Sequence, residues 1–204
     1  MQSKRKGLSL MRVNRFDIEG ILLIEPKRFR DRRGFFAETY NAGELAKLGV
    51  EISFVQDAQL LSTAAGTVRG LHFQSPPFAQ TKLIRVVQGA IQQVAVDMRH
   101  GSPTFGRHVS IELSGENALQ LLIPEGFAHG CATLRPLTEV AYKVSAADAP
   151  GCHHGILWND PFLGIFWTVE ADEAVLSDAD AALPLLCDIE TPFRCAPSRK
   201  EAAA

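Results

Sequence analysis

The sequence contains few cysteines and lacks any long apolar run. Four cysteines, with no CxxC pair among them, stand in a chain of 204 residues. Because their spacing shows no disulfide framework, they favour reduced thiols and a cytoplasmic location over a disulfide scaffold. No apolar run approaches the roughly 20 residues that span a bilayer. The apolar "LSLM" near the N-terminus is also much shorter than a signal-peptide core of about 7–15 residues.

The sequence also has no large excess of charge of either sign. It carries 21 basic and 23 acidic residues, a formal net charge of -2. This balance gives no reason to expect nucleic acid or a membrane surface as a partner. Hydrophobic residues make up 46% of the chain, which is enough for one sizeable core. We therefore predict a flexible tail over 1–14, a single domain over 15–195 and a frayed C-terminus over 196–204.

Strand signals dominate the middle of the chain. The segment "KLIRVVQGAIQQVAVDMR" (82–99) has two β-branched runs broken at Gln88-Gly89, which predicts a hairpin. "RHVSIELS" and "TEVAYKVS" alternate apolar and polar residues, as strands with one buried face do. Helix signals are confined to an Asn41 cap with Gly49 as the stop, and to a Ser177 cap for about two turns. The predicted class is all-β, a sandwich or barrel with a few short helices.

Candidate chemistry begins with "VRGLHFQ" (68–74), where Arg69 and His72 lie near one strand end and Gln74 shares the face of His72. Lys82 opens the next apolar run, and "IPEGFAHG" ends a turn with His129. A single histidine in a strand is commonly a structural residue. The polar residues near His72 favour a functional role for it, since imidazole moves protons near neutral pH.

A metal site is the first alternative for these histidines. The spacing Pro-x-Gly-x-x-His before His129 resembles the second half of the cupin signature, in which the histidine binds metal. The first half would be His-x-His, but the chain has His72-Phe73-Gln74, and an amide is a poor ligand for transition metals. We expect no metal, and a stoichiometric ion in the purified protein would revive a metal-dependent oxygenase. The resemblance implies a cupin-like double-stranded β-helix, or jelly-roll barrel.

Proton transfer by His72 needs partners, and the sequence offers two candidates without deciding on either. Asp160, in "LWNDPFLG", is either the carboxylate that orients His72 or an ordinary turn residue before Pro161. Tyr142 is either the acid opposite His72 or a core tyrosine with a bonded hydroxyl. The adjacent Cys152, His153 and His154 are interpreted as surface residues of a loop.

Taken together, the motifs resemble the dTDP-4-dehydrorhamnose 3,5-epimerase family of metal-free, homodimeric, cupin-like sugar epimerases. The resemblance covers roughly 15 to 185. It rests on "DRRGFFAETYN", "FVQD", "VRGLHFQ", "KLIRVVQGAIQQVAVDMRHGSPTFG", "IPEGFAHG", "YK" and "WNDPFLGIFW". It implies an isomerase of rhamnose and polysaccharide biosynthesis that needs no cofactor and takes a nucleotide-diphosphate sugar.

The resemblance also implies roles for individual residues. His72 would be the base with Asp160 as its partner, Tyr142 the acid, and Lys82 the group that stabilises the enolate. The other predicted contacts share one role, that of holding the sugar nucleotide, in part across a dimer interface: Arg33, Phe36, Glu38, Gln56, Arg69, Gln74, His129 and Asp148.

Two positions depart from the family pattern. Ala58 stands where the family commonly has Asn in the run after "FVQ", and Asp148 stands where it usually has Tyr before the loop proline. These departures leave open the base, the sugar, and whether C3 and C5 are both inverted. The alternatives are an epimerase acting at a single carbon of another keto sugar nucleotide, and a cupin-like binding domain without catalysis.

Overall fold

The computed structural model describes residues 10–195, which form two main β-sheets. Thirteen strands and two α-helices follow one another within residues 10–195. They are β1 (Met11–Arg15), β2 (Leu22–Pro26), β3 (Phe29–Asp31), β4 (Gly34–Phe36), α1 (Ala42–Lys47), β5 (Gln56–Ser62), β6 (Val68–Gln74), β7 (Lys82–Gln88), β8 (Ala90–Asp97), β9 (His108–Ser114), β10 (Gln120–Ile123), β11 (Phe127–Thr133), β12 (Thr138–Val144), β13 (His153–Gly155) and α2 (Asp178–Ala181).

The sheets enclose the main core between them. The six-stranded sheet has the order β1-β2-β10-β7-β12-β5, and the five-stranded sheet has the order β13-β6-β11-β8-β9. All pairings within them are antiparallel. Ile84 and Val140 of the first sheet pack in one buried cluster with Ile91 and Leu113 of the second. The expectation of an all-β, cupin-like fold is confirmed.

The chain changes sheets between β7 and β8, and this overturns the predicted hairpin over 82–99. β7 lies in the six-stranded sheet and β8 in the five-stranded one, so Gln88 and Gly89 connect the sheets and do not close a pair. Gly89 has a φ of +80°, and a Cβ there would lie 2.9 Å from Thr138 Cα. Gly89 therefore allows a tight crossing of the chain between the two sheets.

Both predicted helix starts are confirmed. Asn41 accepts a hydrogen bond from Glu44 N, and Ser177 accepts one from Asp180 N. α1 ends at Lys47, with Gly49 following at a φ of +82°. α2 is a single turn of four residues, shorter than the two turns expected, and it packs against β6.

Strand β1 begins inside the predicted N-terminal tail. The prediction of a flexible tail over 1–14 is wrong for 11–14, because β1 pairs residue by residue with β2 from Met11 to Arg15. Residues 1–9 and 196–204 lie outside the described residues. All four cysteines are free. Every helix in the described part of the chain is too short or too polar to cross a membrane.

Candidate active site

A pocket of about 380 Å³ opens between the two sheets. Two strands supply its central residues, with His72 on β6 of the five-stranded sheet and Tyr142 on β12 of the six-stranded one. Its walls are completed by the loop after β12, by β13 and by α2. The lining residues are Gln56, His72, Phe73, Gln74, Gln80, Lys82, Tyr142, Val144, Asp148, His153, His154, Ala179, Asp180 and Leu183.

His72 is backed by a carboxylate from α2. Its Nε2 lies 2.6 Å from Oδ1 of Asp180, which is buried and whose other oxygen accepts a long bond, 3.4 Å, from Gly70 N. An ionised carboxylate only accepts hydrogen bonds, so we assign the proton of neutral His72 to Nε2. Nδ1 is then the basic atom of the ring. This is the arrangement that orients an imidazole and stabilises its cation when it takes a proton.

The prediction that Asp160 backs His72 is wrong. Asp160 accepts hydrogen bonds from Phe162 N at 2.9 Å and from Leu186 N at 2.7 Å. It is buried at the start of a 3₁₀ turn over Pro161–Leu163, and it does not line the pocket. The contacts of Asp160 agree with the alternative interpretation, that of a turn residue, because backbone donors occupy its oxygens.

The sequence contained a weak signal for Asp180. Ser177 and Asp180 have the spacing of a capping box, with the acidic residue at the third helical position. In a capping box the acidic side chain reaches back to the backbone N–H of the cap residue, whereas Asp180 is only 7% exposed and bonds to His72. His72 and Asp180 are 108 positions apart, so only the packing of α2 on β6 brings them together.

Lys82 and Tyr142 come from the sheet opposite His72. They lie on neighbouring strands, where Lys82 pairs with Val144 and Tyr142 with Ile84, and Lys82 Nζ is 5.7 Å from the centre of the tyrosine ring. Burial lowers the pKa of Lys82 to about 8, and the charge of Asp148 acts in the opposite direction. The pocket therefore presents an imidazole–carboxylate pair on one wall and a phenol with an ammonium group on the other.

His129 lies directly opposite His72 on the neighbouring strand β11. The close approach of β6 and β11 requires Gly70, because a Cβ there would lie 2.7 Å from His129 O. The Nε2 atom of His129 is buried without a hydrogen-bond partner among the described residues. Burial, followed by the charges of Lys82 and His72, holds the pKa of His129 well below its usual value. His129 is therefore a neutral imidazole at neutral pH.

Three other predicted contacts differ in how they meet the pocket. Gln74 lines it, but its amide is used within the chain: Nε2 donates to Phe78 O and Ala147 O, and Oε1 accepts from Ala149 N. Gln56 also lines the pocket and accepts a bond of 3.4 Å from Asp148 N. Arg69 is exposed, donates to Ser62 Oγ at 3.2 Å, and does not line the pocket.

The remaining predicted contacts lie away from this pocket. Arg33 is on the exposed β3–β4 hairpin and pairs with Asp31 at 2.6 Å, while the ring of Phe36 is 64% exposed. Glu38 accepts a bond from Asn41 Nδ2 at 3.0 Å. None of these three residues lines the pocket of His72. One chain therefore does not assemble the whole predicted site.

The residues beside His72 are poorly suited to a metal. Gln74, the amide that stands where the cupin signature has a second histidine, is engaged with the backbone. Within residues 10–195, no group of three or more His, Cys, Asp or Glu side chains is arranged to hold an ion. The side chains that do converge suit proton transfer and stabilisation of a developing oxyanion. They are His72, Asp180, Tyr142 and Lys82.

The fold and the pocket are those of a cupin-like enzyme, with side chains suited to proton transfer. Comparisons with known proteins specify it further. A family model described as dTDP-4-dehydrorhamnose 3,5-epimerase matches residues 15–188. A relative of that name from Sinorhizobium fredii is 44% identical over 187 residues, which cover 92% of this chain and 95% of the relative.

Solved structures agree. The epimerase of Bacillus anthracis, with TDP and PPi bound, has a TM-score of 0.83 at 51% identity and covers 86% of this chain and 99% of its own. The enzyme of Legionella pneumophila, in complex with dTDP-4-keto-L-rhamnose, has a TM-score of 0.86 at 41% identity and covers 91% of this chain and 100% of its own. The chain belongs to the dTDP-4-dehydrorhamnose 3,5-epimerase family, and its assignment to the isomerases from its motifs is confirmed.

Proposed function

We propose that this protein converts dTDP-4-dehydro-6-deoxyglucose to dTDP-4-dehydrorhamnose by inverting C3 and C5, without a cofactor. The observation that supports this most directly is the placement of the His72–Asp180 pair across one pocket from Tyr142 and Lys82. Inversion at a carbon requires a base on one face of the sugar ring and an acid on the other. The two sheets present those groups on opposite walls.

In the first half of the reaction, His72 Nδ1 takes the proton from a carbon next to the C4 ketone. The C–H bond breaks, its electrons form a C=C bond, and the ketone oxygen becomes an enolate oxygen. Asp180 stabilises the imidazolium that results, through its bond to Nε2. Lys82 stabilises the enolate oxygen, and a donor aimed at such a charge in a partly buried site is worth about 3–4 kcal/mol.

In the second half, the Tyr142 hydroxyl returns a proton to the same carbon from the opposite face. The C=C electrons form the new C–H bond, and the C4 ketone is restored. The phenolate and the imidazolium then exchange protons with water through the open side of the pocket. Repeating the sequence at the second carbon next to the ketone gives the double inversion, because C3 and C5 both flank C4.

The nucleotide end of the substrate is proposed to be held partly by a second copy of the chain. Phe35 and Phe36 expose 55% and 64% of their surface on the β3–β4 hairpin, and Arg33 on its turn is outside the His72 pocket. In a homodimer, the hairpin of one copy would bring Arg33, Phe36 and Glu38 to the pocket of the other. Arginine suits a diphosphate because its guanidinium binds two oxygens at once.

Within one copy, the proposed contacts to the sugar nucleotide are Gln56, Asp148, His129 and Arg69. Gln56 and Asp148 line the pocket directly. His129 adjoins it beside His72, and Arg69 lies three positions before His72 on β6. We also propose a cytoplasmic location, which suits the four free thiols.

The test is proton NMR of the substrate in deuterated water with the full-length protein. Deuterium at both C3 and C5 with the rhamno configuration is the expected result. Deuterium at a single carbon would replace the proposal with a single-carbon epimerase. Binding of the sugar nucleotide with no deuterium at either carbon would replace it with a binding domain.

The dimer is tested separately by light scattering on a sizing column. Wild type is expected at twice the chain mass of 22.3 kDa. Phe36→Ser should shift the protein toward the monomer and lower activity together. Phe166→Ser is the matched control, because Phe166 is 92% exposed and lies outside the hairpin. A wild-type protein that elutes as a monomer with full activity would refute the shared site.

A further inference from the structure

A second imidazole–carboxylate pair lies on the wall of the same pocket and takes no part in the proton transfers described above. His153 Nε2 is 2.7 Å from Oδ1 of Asp148, and both side chains are about half exposed. The pair joins the loop that follows β12 to β13, so it links the two sheets at the mouth of the pocket.

The pair is held by buried structure. Gln74 is 5% exposed, and its amide bonds Ala147 O and Ala149 N, the backbone on both sides of Asp148. Its Oε1 also lies 3.1 Å from His153 Nε2. His153 of β13 pairs with Gln74 of β6, and Gln74 lies two residues after His72 on that strand. The position of Asp148 is therefore tied to the strand that carries the proposed base.

The hydrogen-bond roles follow from the partners. Gln74 Oε1 is fixed as an acceptor because Gln74 Nε2 donates to carbonyl oxygens. His153 Nε2 thus faces two acceptors and must carry a proton. The bond occupies one oxygen of Asp148, and Oδ2 has no hydrogen-bond partner within residues 10–195. Asp148 lines the pocket, and its second oxygen remains available to accept a bond.

The charge of Asp148 limits which part of the substrate it can face. A carboxylate repels phosphate oxygens, so Asp148 does not suit the diphosphate. It shares the pocket with Lys82 and His72, which surround the proposed site of the keto sugar. In that part of the substrate, the only groups that donate hydrogen bonds are the ring hydroxyls.

We propose that Asp148, positioned by His153, accepts a hydrogen bond from a ring hydroxyl of the keto sugar and selects substrates that carry it. This proposal rests on the proposed function. Asp148 acts as a specificity residue that touches the substrate. His153 is a positioning residue that holds one carboxylate oxygen so that the other faces the sugar.

The test combines variants with substrate analogues. Asp148→Ala is assayed by deuterium exchange on the parent sugar nucleotide and on its 2-deoxy and 3-deoxy analogues. A bond to a charged acceptor predicts a loss of about 10- to 100-fold in kcat/KM on the parent. On the analogue that lacks the recognised hydroxyl, wild type should already be slow and the variant no slower.

Equal losses on all three substrates would overturn the proposal, because Asp148 would then act through the charge of Lys82 or through the fold. An unchanged rate on the parent would overturn it as well. These outcomes are distinct from failure of the proposed function, in which wild type itself exchanges no protons on the parent sugar nucleotide.

The role of His153 is read from the division between KM and kcat. His153→Ala should raise KM several-fold with a smaller change in kcat, and His153→Gln, which retains a donor, should recover most of the loss. Glu116→Ala is the matched control, since Glu116 is an exposed carboxylate paired with Arg135 at 2.7 Å outside the pocket. A loss in kcat alone, with no recovery in His153→Gln, would refute the positioning role.

Discussion

Asp180→Asn is predicted to remove most of the activity and to leave the protein folded. The substitution replaces the carboxylate that lies 2.6 Å from His72 Nε2. A hydrogen bond to a charged group contributes about 1.5–3 kcal/mol, which corresponds to a rate loss of about 10- to 150-fold. The amide can also turn its N–H toward Nε2, which would move the ring proton to Nδ1 and block the base. A wrong tautomer of this kind costs about 10⁴-fold in a Ser-His-Asp triad, so we expect a loss of about 10³- to 10⁴-fold in kcat.

Asp160→Asn is the matched comparison, because Asp160 is also a buried aspartate near the end of the domain. Its oxygens accept two backbone N–H groups, from Phe162 and Leu186. The amide can replace only one of these acceptors, and a buried donor left unpaired costs about 1–3 kcal/mol. For a domain of this size, each kcal/mol lowers Tm by about 2–4 °C. We therefore expect a Tm lowered by roughly 2–12 °C and a kcat per folded molecule within about twofold of wild type.

The assay measures deuterium incorporation into the sugar under saturating substrate, with a thermal melt of each variant. The expected pattern is a crossed one, in which Asp180→Asn loses rate with little change in Tm and Asp160→Asn loses Tm with little change in rate. The opposite pattern would refute the assignment of the pair. Equal loss of rate in both variants would show that the distance of 2.6 Å does not identify the working carboxylate.

Three further predictions concern the opposite wall and the neighbouring strand. Tyr142→Phe should retain exchange of substrate protons but lose inversion by at least about tenfold, since general acids contribute about 10²- to 10⁴-fold; unchanged inversion would refute its role as the acid. Because the pKa of Lys82 is lowered to about 8 by burial, raising the pH converts the ammonium to an amine, and kcat/KM should fall through about pH 8. Lys82→Arg should move that fall to higher pH. A wild-type profile of kcat/KM that stays flat to pH 10 would contradict the role of Lys82. Burial keeps His129 neutral, so its ring NMR signals should not titrate between pH 6 and 8; a midpoint in that range would be inconsistent with a buried, unpaired Nε2.

The strands and their faces could be predicted from the sequence, but not the sheet to which each strand belongs. The alternation in "RHVSIELS" places Val109 and Leu113 inward, and both are buried in β9. Periodicity records which side of a strand is apolar, and it is the same for a hairpin and for a crossing between sheets. Gly89 allows either connection, so the choice was made by packing across the core.

The site was predictable to the extent that its residues carry local motifs. His72, Lys82 and Tyr142 stand in distinctive stretches, and the structure brings all three to one pocket. His153 was interpreted as a surface residue because it follows a loop rich in Gly and Pro. The structure places it in the pocket wall because β13 pairs with β6.

The two aspartates show why the partner of His72 could not be predicted locally. Asp160 and Asp180 are both buried; Asp160 caps a 3₁₀ turn, and Asp180 is the third residue of α2. They differ in which donors reach their oxygens. Asp160 binds two strong backbone donors and has little capacity left for an imidazole, whereas Asp180 receives one distant backbone donor at 3.4 Å. A buried carboxylate that its own backbone does not satisfy must find a partner elsewhere. Among the described residues, His72 is the only titratable group that bonds to Asp180. This contact depends on how α2 packs in the folded chain, and no short window of sequence contains it.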